Sequence, residues 1–255
     1  MDQSLGTQAA DASGASQYGD TLAPIFDVHL ARPGADACVA FLRQVAGEPP
    51  ATCLELGVGT GRLALPLSAA GYEVTGVDAS ARMVEALRAK PGGDRLRVIV
   101  GDVATAALGD SYALVYAADC VLADVDGAGE LPSCLRNVRA ALAPDGAFVC
   151  DGFLPPRSEL HRRALVVREA LPGGGRLVHD WEHDPDECLL WGQTTVTAAD
   201  GQVYSLPSRV RYRWPHQLDA VAREAGLALV DRYADWSRRP LDDASGTCVS
   251  VYRPA

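Results

Sequence analysis

The chain has 255 residues, a formal net charge of −10 and 48% hydrophobic residues, a length that suits one α/β domain with an insertion or two small domains. An acidic chain of this kind is not expected to present the clustered Lys/Arg face that binds a nucleic-acid phosphate backbone. No uncharged apolar run in the sequence is long enough to span a bilayer. Its seven cysteines form no CxxC pair, so we expect a protein of the reducing cytoplasm with no nucleic-acid or membrane partner.

The first half of the chain alternates helical and β-rich runs. Residues 1–17 lack the basic start and apolar stretch of a secretory signal and are interpreted as a disordered polar tail. From about residue 36 to 150 the alternation predicts a parallel sheet. Ser80 is expected to cap one helix and Gly71 to end another. The predicted helices span 36–47, 61–71, 81–90 and 131–142, and the predicted strands span 51–57, 72–78, 96–102, 112–119 and 146–152.

The pattern changes after the fifth predicted strand. Residues 176–214 alternate with period two and contain turn residues at 184–187 and 199–202, which predicts an antiparallel insertion. The earlier pattern returns as a helix at 216–226 and strands at 227–235 and 247–254. We therefore predict a main domain formed by residues 18–154 and 214–255, with residues 155–213 forming a cap.

A glycine-rich turn follows the first predicted strand, at residues 57–61. A strand, such a turn and a helix start are typical of an adenosine-cofactor site at the carboxyl end of a sheet. The dinucleotide fingerprint would need a further glycine where this chain has Arg62. Glu55 places a carboxylate beside the turn, which would repel a pyrophosphate and attract the ammonium and sulfonium of S-adenosylmethionine.

Two more carboxylates end predicted strands. Asp78 ends the second strand, 21 residues after Gly57, where it can accept hydrogen bonds from both ribose hydroxyls. Taken alone, Asp78 fits NAD equally well. Asp102 ends the third strand and can accept from an adenine amino group. Together with Glu55 and the glycine turn, these positions favour S-adenosylmethionine over NAD.

The stretch LELGVGTGRLALPLSAAGYEVTGVDASARMVEAL, residues 54–87, is similar to the first two motifs of the class I S-adenosylmethionine-dependent methyltransferases. The resemblance covers residues 36–154 and 214–254. It implies an α/β, Rossmann-like sheet of seven strands with the last strand antiparallel, and a site in which the glycines approach the methionine moiety. The predicted cofactor-binding residues are Tyr18, Glu55, Gly57, Gly59, Thr60, Gly61, Arg62, Asp78, Ala79, Met83, Asp102, Val103 and Ala118.

Two other segments resemble a particular group of enzymes within this family. Residues 18–27 and the insertion after the fifth strand resemble bacterial enzymes that methylate small metabolites, including N-methyltransferases of amines and amino sugars. This implies transfer of a methyl group to a nitrogen or oxygen of a small acceptor in secondary metabolism, by proximity-driven in-line displacement. Two alternatives remain open: an S-adenosylmethionine-binding protein with a non-methylating catalytic or sensing role, and an NAD-dependent oxidoreductase. Monomer and homodimer are equally compatible with the sequence.

Two residues are candidates for acting on the acceptor. Asp119 follows the fourth strand, where it would orient or deprotonate the acceptor, or instead cap the next turn. His216 begins a predicted helix whose dipole disfavours the imidazolium, so it is either a neutral base or a surface histidine. Tyr18 belongs to an N-terminal segment that forms a lid over the cofactor or simply docks as an amphipathic helix.

The insertion itself leaves one question open. His179 and His183 share one strand face with Trp181, while the neighbouring acids share the other, so no metal site is expected. The aromatic residues of this region either roof the acceptor pocket or pack the sheet. They are Trp181, Trp191, Tyr204, Tyr212 and Trp214.

Overall fold

The computed structural model describes residues 14–30, 34–109, 111–125, 127 and 129–255. The helices are α1 (Gly14–Leu22), α2 (Ala35–Ala46), α3 (Ala64–Ala69), α4 (Ala81–Arg88), α5 (Glu130–Ala141) and α6 (Pro215–Glu224). The strands are β1 (Thr52–Leu56), β2 (Glu73–Asp78), β3 (Arg97–Val100), β4 (Tyr112–Ala117), β5 (Leu142–Phe153), β6 (Ala164–Ala170), β7 (Arg176–Asp184), β8 (Leu189–Thr197), β9 (Val203–Arg211), β10 (Leu227–Tyr233) and β11 (Thr247–Pro254).

Seven strands form the main sheet, in the order β10-β11-β5-β4-β1-β2-β3. The pairs among β1 to β5 are parallel, whereas β11 runs antiparallel to both β5 and β10. This confirms the predicted Rossmann-like sheet with an antiparallel last strand. A parallel sheet of this order brings the carboxyl ends of β1, β2, β4 and β5 to one edge.

The central strands are buried on both faces, which explains their nearly continuous apolar sequences. Alternate residues of β4 enter different cores: Leu114 and Tyr116 pack with α2 and α3, while Val115 and Ala117 pack with α5 and α6. The Ser80 hydroxyl accepts from the Met83 amide at 3.1 Å, which confirms the predicted cap of α4.

The cap is a separate antiparallel sheet in the order β6-β7-β8-β9, and this confirms the predicted antiparallel insertion. The sequence did not predict β6, since six of its seven residues are exposed and no buried face imposes a period of two. β5 begins at Leu142, four residues before the predicted start of this strand. The register of the pairing between β4 and β5 shifts between Tyr112 and Leu114 of β4.

The amino-terminal segment joins the two sheets. α1 already covers residues 14–17 of the predicted tail, and residues 1–13 of that tail lie outside the described residues. Leu22 and Ile25 pack against the cap through Leu177, Val196 and Leu206. None of the helices in the described part of the chain has the length and apolar character needed to traverse a bilayer.

Candidate functional site

The glycine turn lies directly after β1 and beneath the turn that follows β4. Gly57 has a φ of 71°, and a Cβ there would lie 2.6 Å from Cγ2 of Val121, so a larger residue would push the two turns apart. Gly59 also has a positive φ, of 52°, but a Cβ there would meet nothing within 4 Å. The turn is therefore tight against the protein at Gly57 and open at Gly59, where a ligand can approach the backbone.

Asp78 connects the glycine turn to α4. Its Oδ2 accepts from the Gly59 amide at 2.7 Å, and its Oδ1 accepts from the Ser80 amide at 2.8 Å. Burial raises the pKa of Asp78, and these two amides oppose that rise because they stabilise the carboxylate. Asp78 thus shapes the turn while retaining lone pairs for further donors.

Glu55 is buried, with 4% of its surface exposed, and its Oε2 accepts from the Tyr116 hydroxyl at 3.0 Å. Burial raises the pKa of this carboxyl to about 8, so it is largely protonated at pH 7. Burial thus disfavours the negative charge expected beside the turn, and a cation or a higher pH favours it.

Arg62 and Asp119 connect the glycine turn to the turn after β4. Nη2 of Arg62 lies 2.6 Å from Oδ2 of Asp119. Asp119 and Cys120 both have positive φ values, of 62° and 64°, and Asp151 holds this strained pair by accepting from their amides at 3.1 and 2.7 Å. The Arg62 guanidinium also interacts with the Cys38 thiol, but its Nη1 is buried without a nitrogen or oxygen partner among the described residues. This donor suits a carboxylate on a ligand.

The amino-terminal segment is fastened to the same turn. Oγ1 of Thr60, a residue only 1% exposed, donates to Asp27 at 2.6 Å, and Lys90 donates to both Asp27 and the Thr60 carbonyl at 2.7 Å. Asp20 of α1 accepts from the Ser80 hydroxyl at 2.6 Å. These contacts fasten the amino-terminal segment to the glycine turn and to the start of α4. Local sequence patterns do not reveal them, since Asp27 and Thr60 are 33 residues apart.

The remaining predicted cofactor residues lie around this edge of the sheet. Asp102 accepts from the Ala104 amide at 2.7 Å, and Val103 packs against the core beneath it. Met83 and Ala118 are buried, whereas Tyr18 is 40% exposed on α1. Ala79 is half-buried between Asp78 and Ser80.

A cavity of about 30 Å³ lies where β5, the cap and α6 meet. Asp151 lines it from the end of β5, and burial raises the pKa of that carboxyl to about 6. Arg213 fixes one wall by donating to the Leu122 and Val125 carbonyls at 2.7 and 2.6 Å. His216 is exposed on the first turn of α6 and is not among the cavity-lining residues. Asp151 is not among the predicted site residues, although its position near a strand end is the same signal that identified Asp78.

His183 is a buried polar group at the cap junction. Its Nδ1 lies 2.8 Å from the Arg162 carbonyl and its Nε2 3.0 Å from the Tyr212 hydroxyl. Because a carbonyl only accepts, Nδ1 carries the proton and Tyr212 donates to Nε2. Within the described ranges, no three His, Cys, Asp or Glu side chains converge so as to hold a metal ion.

Comparison with known proteins shows what this arrangement is similar to. A family profile described as a methyltransferase domain matches residues 53–146. The CcbJ methyltransferase from Streptomyces caelestis is 35% identical, with 94% of this chain and 99% of that chain covered and a TM-score of 0.82. An S-adenosylmethionine-dependent methyltransferase from Clostridium acetobutylicum is 14% identical (92% and 98% covered, TM-score 0.79). The sugar N-methyltransferase KedS8 from Streptoalloteichus is 18% identical (99% and 100% covered, TM-score 0.68). A search of curated proteins gave no match.

Proposed function

Because this chain belongs to the class I S-adenosylmethionine-dependent methyltransferases, we propose that it transfers a methyl group to a nitrogen or oxygen of a small metabolite in secondary metabolism. The cofactor is S-adenosylmethionine, which supplies a methyl group on a cationic sulfur. Membership of this family supports methyl transfer over the two alternatives that the sequence left open, an NAD-dependent oxidoreductase and a non-methylating binding protein.

The observation that supports a small acceptor is the cavity of about 30 Å³ between the end of β5 and the cap. A space of this size suits a single functional group, such as an amine or a hydroxyl, at the end of β5. The name of the structural relative KedS8, a sugar N-methyltransferase, supports a nitrogen acceptor.

The residues at the sheet edge fit the cofactor. Nη1 of Arg62, which is buried without a nitrogen or oxygen partner among the described residues, suits the carboxylate of the cofactor. The open side of Gly59 leaves room for the methionine moiety beside the backbone. Asp78 would accept from the ribose hydroxyls. Around the adenine we assign Ala79, Met83, Asp102 and Val103. The methionine end would be bordered by Tyr18, Glu55, Gly57, Thr60, Gly61 and Ala118.

The protein would raise the rate of methyl transfer by aligning the reacting atoms. Methyl transfer requires the acceptor atom, the methyl carbon and the sulfur to lie in line, and holding them so is worth up to about 7–11 kcal/mol in favourable intramolecular reactions. Arg62 and Asp151 fix Asp119 from two sides, which supports a role for Asp119 in orienting the acceptor. The fastened amino-terminal segment would exclude water from the site.

We expect Asp119→Asn to lower kcat by about tenfold or more without moving the ascending limb of the pH profile, because the carboxylate positions the acceptor rather than taking its proton. His216→Gln should leave kcat nearly unchanged, since His216 is exposed on the first turn of α6. The measurement is the release of S-adenosylhomocysteine against pH, with a panel of small primary amines as acceptors.

The same assay distinguishes the other assignments. If His216→Gln abolishes the ascending limb, His216 is the base and the positioning role of Asp119 is overturned. The reaction should also persist in EDTA. Loss of activity in EDTA that magnesium restores would contradict the metal-free chemistry. An absence of methyl transfer to every amine and hydroxyl tested, despite tight cofactor binding, would overturn the proposed acceptor class.

A further inference from the structure

The Asp151 carboxylate lies where three parts of the main domain meet. Asp151 belongs to β5, two residues before the end of that strand at Phe153. Its Oδ1 accepts from the Cys120 amide at 2.7 Å, and its Oδ2 accepts from the Asp119 amide at 3.1 Å and from Nε1 of Trp236 at 3.2 Å. Both oxygens are therefore used as acceptors, for donors from the turn after β4 and the loop after β10.

The turn after β4 has a backbone that needs such support. Asp119 and Cys120 are successive non-glycine residues in the left-handed region, with φ values of 62° and 64°. Residues of this kind persist only where their surroundings hold them, and Asp151 accepts from both of their amides. A carboxylate accepts at both oxygens, whereas a protonated acid or an amide presents a hydrogen on one side. The charged form of Asp151 is the form that fits the turn.

Asp119 in turn fixes the orientation of the Arg62 guanidinium. Oδ2 of Asp119 accepts from Nη2 of Arg62 at 2.6 Å and from Nε at 3.2 Å, and these two bonds occupy one edge of the planar group. Nη1 lies away from that edge and is buried without a nitrogen or oxygen partner among the described residues. The direction of Nη1 is therefore set by Asp119, whose own backbone is held by Asp151.

We propose that Asp151 is a positioning residue for S-adenosylmethionine, which acts through Asp119 to direct Nη1 of Arg62 at the carboxylate of the cofactor. Trp236, in the loop after β10, supports Asp151 in this role. The inference rests on the proposed function, from which it takes the cofactor. A guanidinium that is already oriented loses little side-chain freedom when the ligand carboxylate binds. Asp151 thereby affects the affinity for the cofactor without contacting it.

The same contacts make the role of Asp151 dependent on pH. Burial raises the pKa of Asp151 to about 6, and the hydrogen bond from Trp236 opposes this rise because it stabilises the carboxylate. As the pH falls through this value, Asp151 gains a proton and one of its oxygens becomes a poorer acceptor for the turn. The titratable and charged groups around Asp151 are Asp119 after β4, Arg62 after β1, Cys38 of α2, Cys150 of β5, Cys248 of β11, Arg211 of β9, and Tyr212 and Arg213 before α6.

The experiment compares two ligands that differ only in the carboxylate. Calorimetry at neutral pH measures the Kd of S-adenosylhomocysteine and of decarboxylated S-adenosylhomocysteine, which keeps the ammonium group. We expect Asp151→Asn to raise the Kd of S-adenosylhomocysteine about tenfold and to leave the Kd of the decarboxylated ligand unchanged. Asp219→Asn is the matched control, since Asp219 is a partly buried carboxylate of α6 that accepts from Arg232. It should leave the ratio of the two Kd values unchanged.

A double-mutant cycle tests whether Asp151 acts through Arg62. Arg62→Gln removes the cationic donor to the ligand carboxylate, so the two Kd values should become similar. Adding Asp151→Asn to Arg62→Gln should then change neither Kd further. An effect of Asp151→Asn that is equally large with and without Arg62 would contradict the inference, because Asp151 would then support the site by another route.

The pH dependence of the same two Kd values gives a second readout. In wild type, the affinity advantage of S-adenosylhomocysteine over its decarboxylated form should decrease as the pH is lowered through about 6. Trp236→Phe removes a donor that stabilises the carboxylate of Asp151, so the midpoint of this decrease should move to higher pH. Asp151→Asn should abolish the decrease. A decrease that persists at the same pH in Asp151→Asn belongs to another group and overturns the inference.

If Asp151→Asn does not fold, Trp236→Phe decides, because an unchanged midpoint in that variant contradicts the inference. Equal affinity of wild type for the two ligands at every pH, or unchanged or tighter binding of S-adenosylhomocysteine by Asp151→Asn, would also contradict it. Failure of wild type to bind either ligand overturns the proposed function, and the inference with it. Binding of both ligands with a Kd ratio that does not respond to Asp151 overturns only the positioning role.

Discussion

Replacing Asp78 by alanine is expected to weaken the binding of S-adenosylhomocysteine by about 1–3 kcal/mol, or roughly 5- to 150-fold in Kd. The ribose hydroxyls lose a charged acceptor. The amides of Gly59 and Ser80, which donate to Asp78 at 2.7 and 2.8 Å, lose theirs as well. The glycine turn and the start of α4 should therefore loosen together, so that the variant also unfolds at a lower urea concentration.

Calorimetry and urea unfolding measure the two effects of this substitution separately. Asp78→Asn keeps the shape of the side chain but places an amide donor against one of the two backbone amides, so its affinity should also fall. Asp94→Ala is the control, because Asp94 is exposed outside the site. A folded Asp78→Ala variant that binds as tightly as wild type would remove Asp78 from the cofactor site.

The sequence predicts the edge of the sheet better than it predicts the contacts across that edge. Glu55, Asp78 and Asp119 each follow from one rule: the carboxyl ends of neighbouring parallel strands meet at the ligand site. The antiparallel cap follows from a change of period. Both signals lie within short stretches of the sequence, so they can be recognised in a single sequence.

The contacts that fasten the site depend on residues far apart in sequence. Asp27 meets Thr60 and Lys90 only because the amino-terminal segment crosses the sheet edge. Arg62 pairs with Asp119 across 57 residues. No periodicity or spacing encodes these pairs. The raised pKa of Glu55 is not predicted for a related reason. Its side chain is buried by tertiary packing, which the pattern of a single strand does not describe.

Glu55 gives the second large effect, on the pH dependence of stability. An unfolded glutamate has a pKa of about 4.3, and burial raises the pKa of Glu55 in the folded chain to about 8. Between these values the folded state holds a proton that the unfolded state has released. The free energy of unfolding therefore falls as the pH rises through this window. Glu55→Gln removes the titrating group, while its amide oxygen can still accept from Tyr116.

We expect Glu55→Gln to gain stability relative to wild type as the pH rises from 5 to 9, by an amount on the order of a few kcal/mol. Urea unfolding across this pH range measures the difference in the free energy of unfolding between the two proteins. The contributions of the other titrating carboxyls cancel in this difference. Glu73→Gln, exposed at the start of β2, should run parallel to wild type.

The same curves decide how Glu55 selects the cofactor. If Glu55→Gln also runs parallel to wild type, Glu55 is ionised in the folded protein at neutral pH, and a fixed negative charge beside the glycine turn repels a pyrophosphate unaided. If the curves diverge as expected, the charge on Glu55 appears only when a cationic ligand stabilises it. Binding of S-adenosylmethionine would then release a proton, and its affinity relative to S-adenosylhomocysteine, which lacks the sulfonium, should vary with pH in wild type but not in Glu55→Gln.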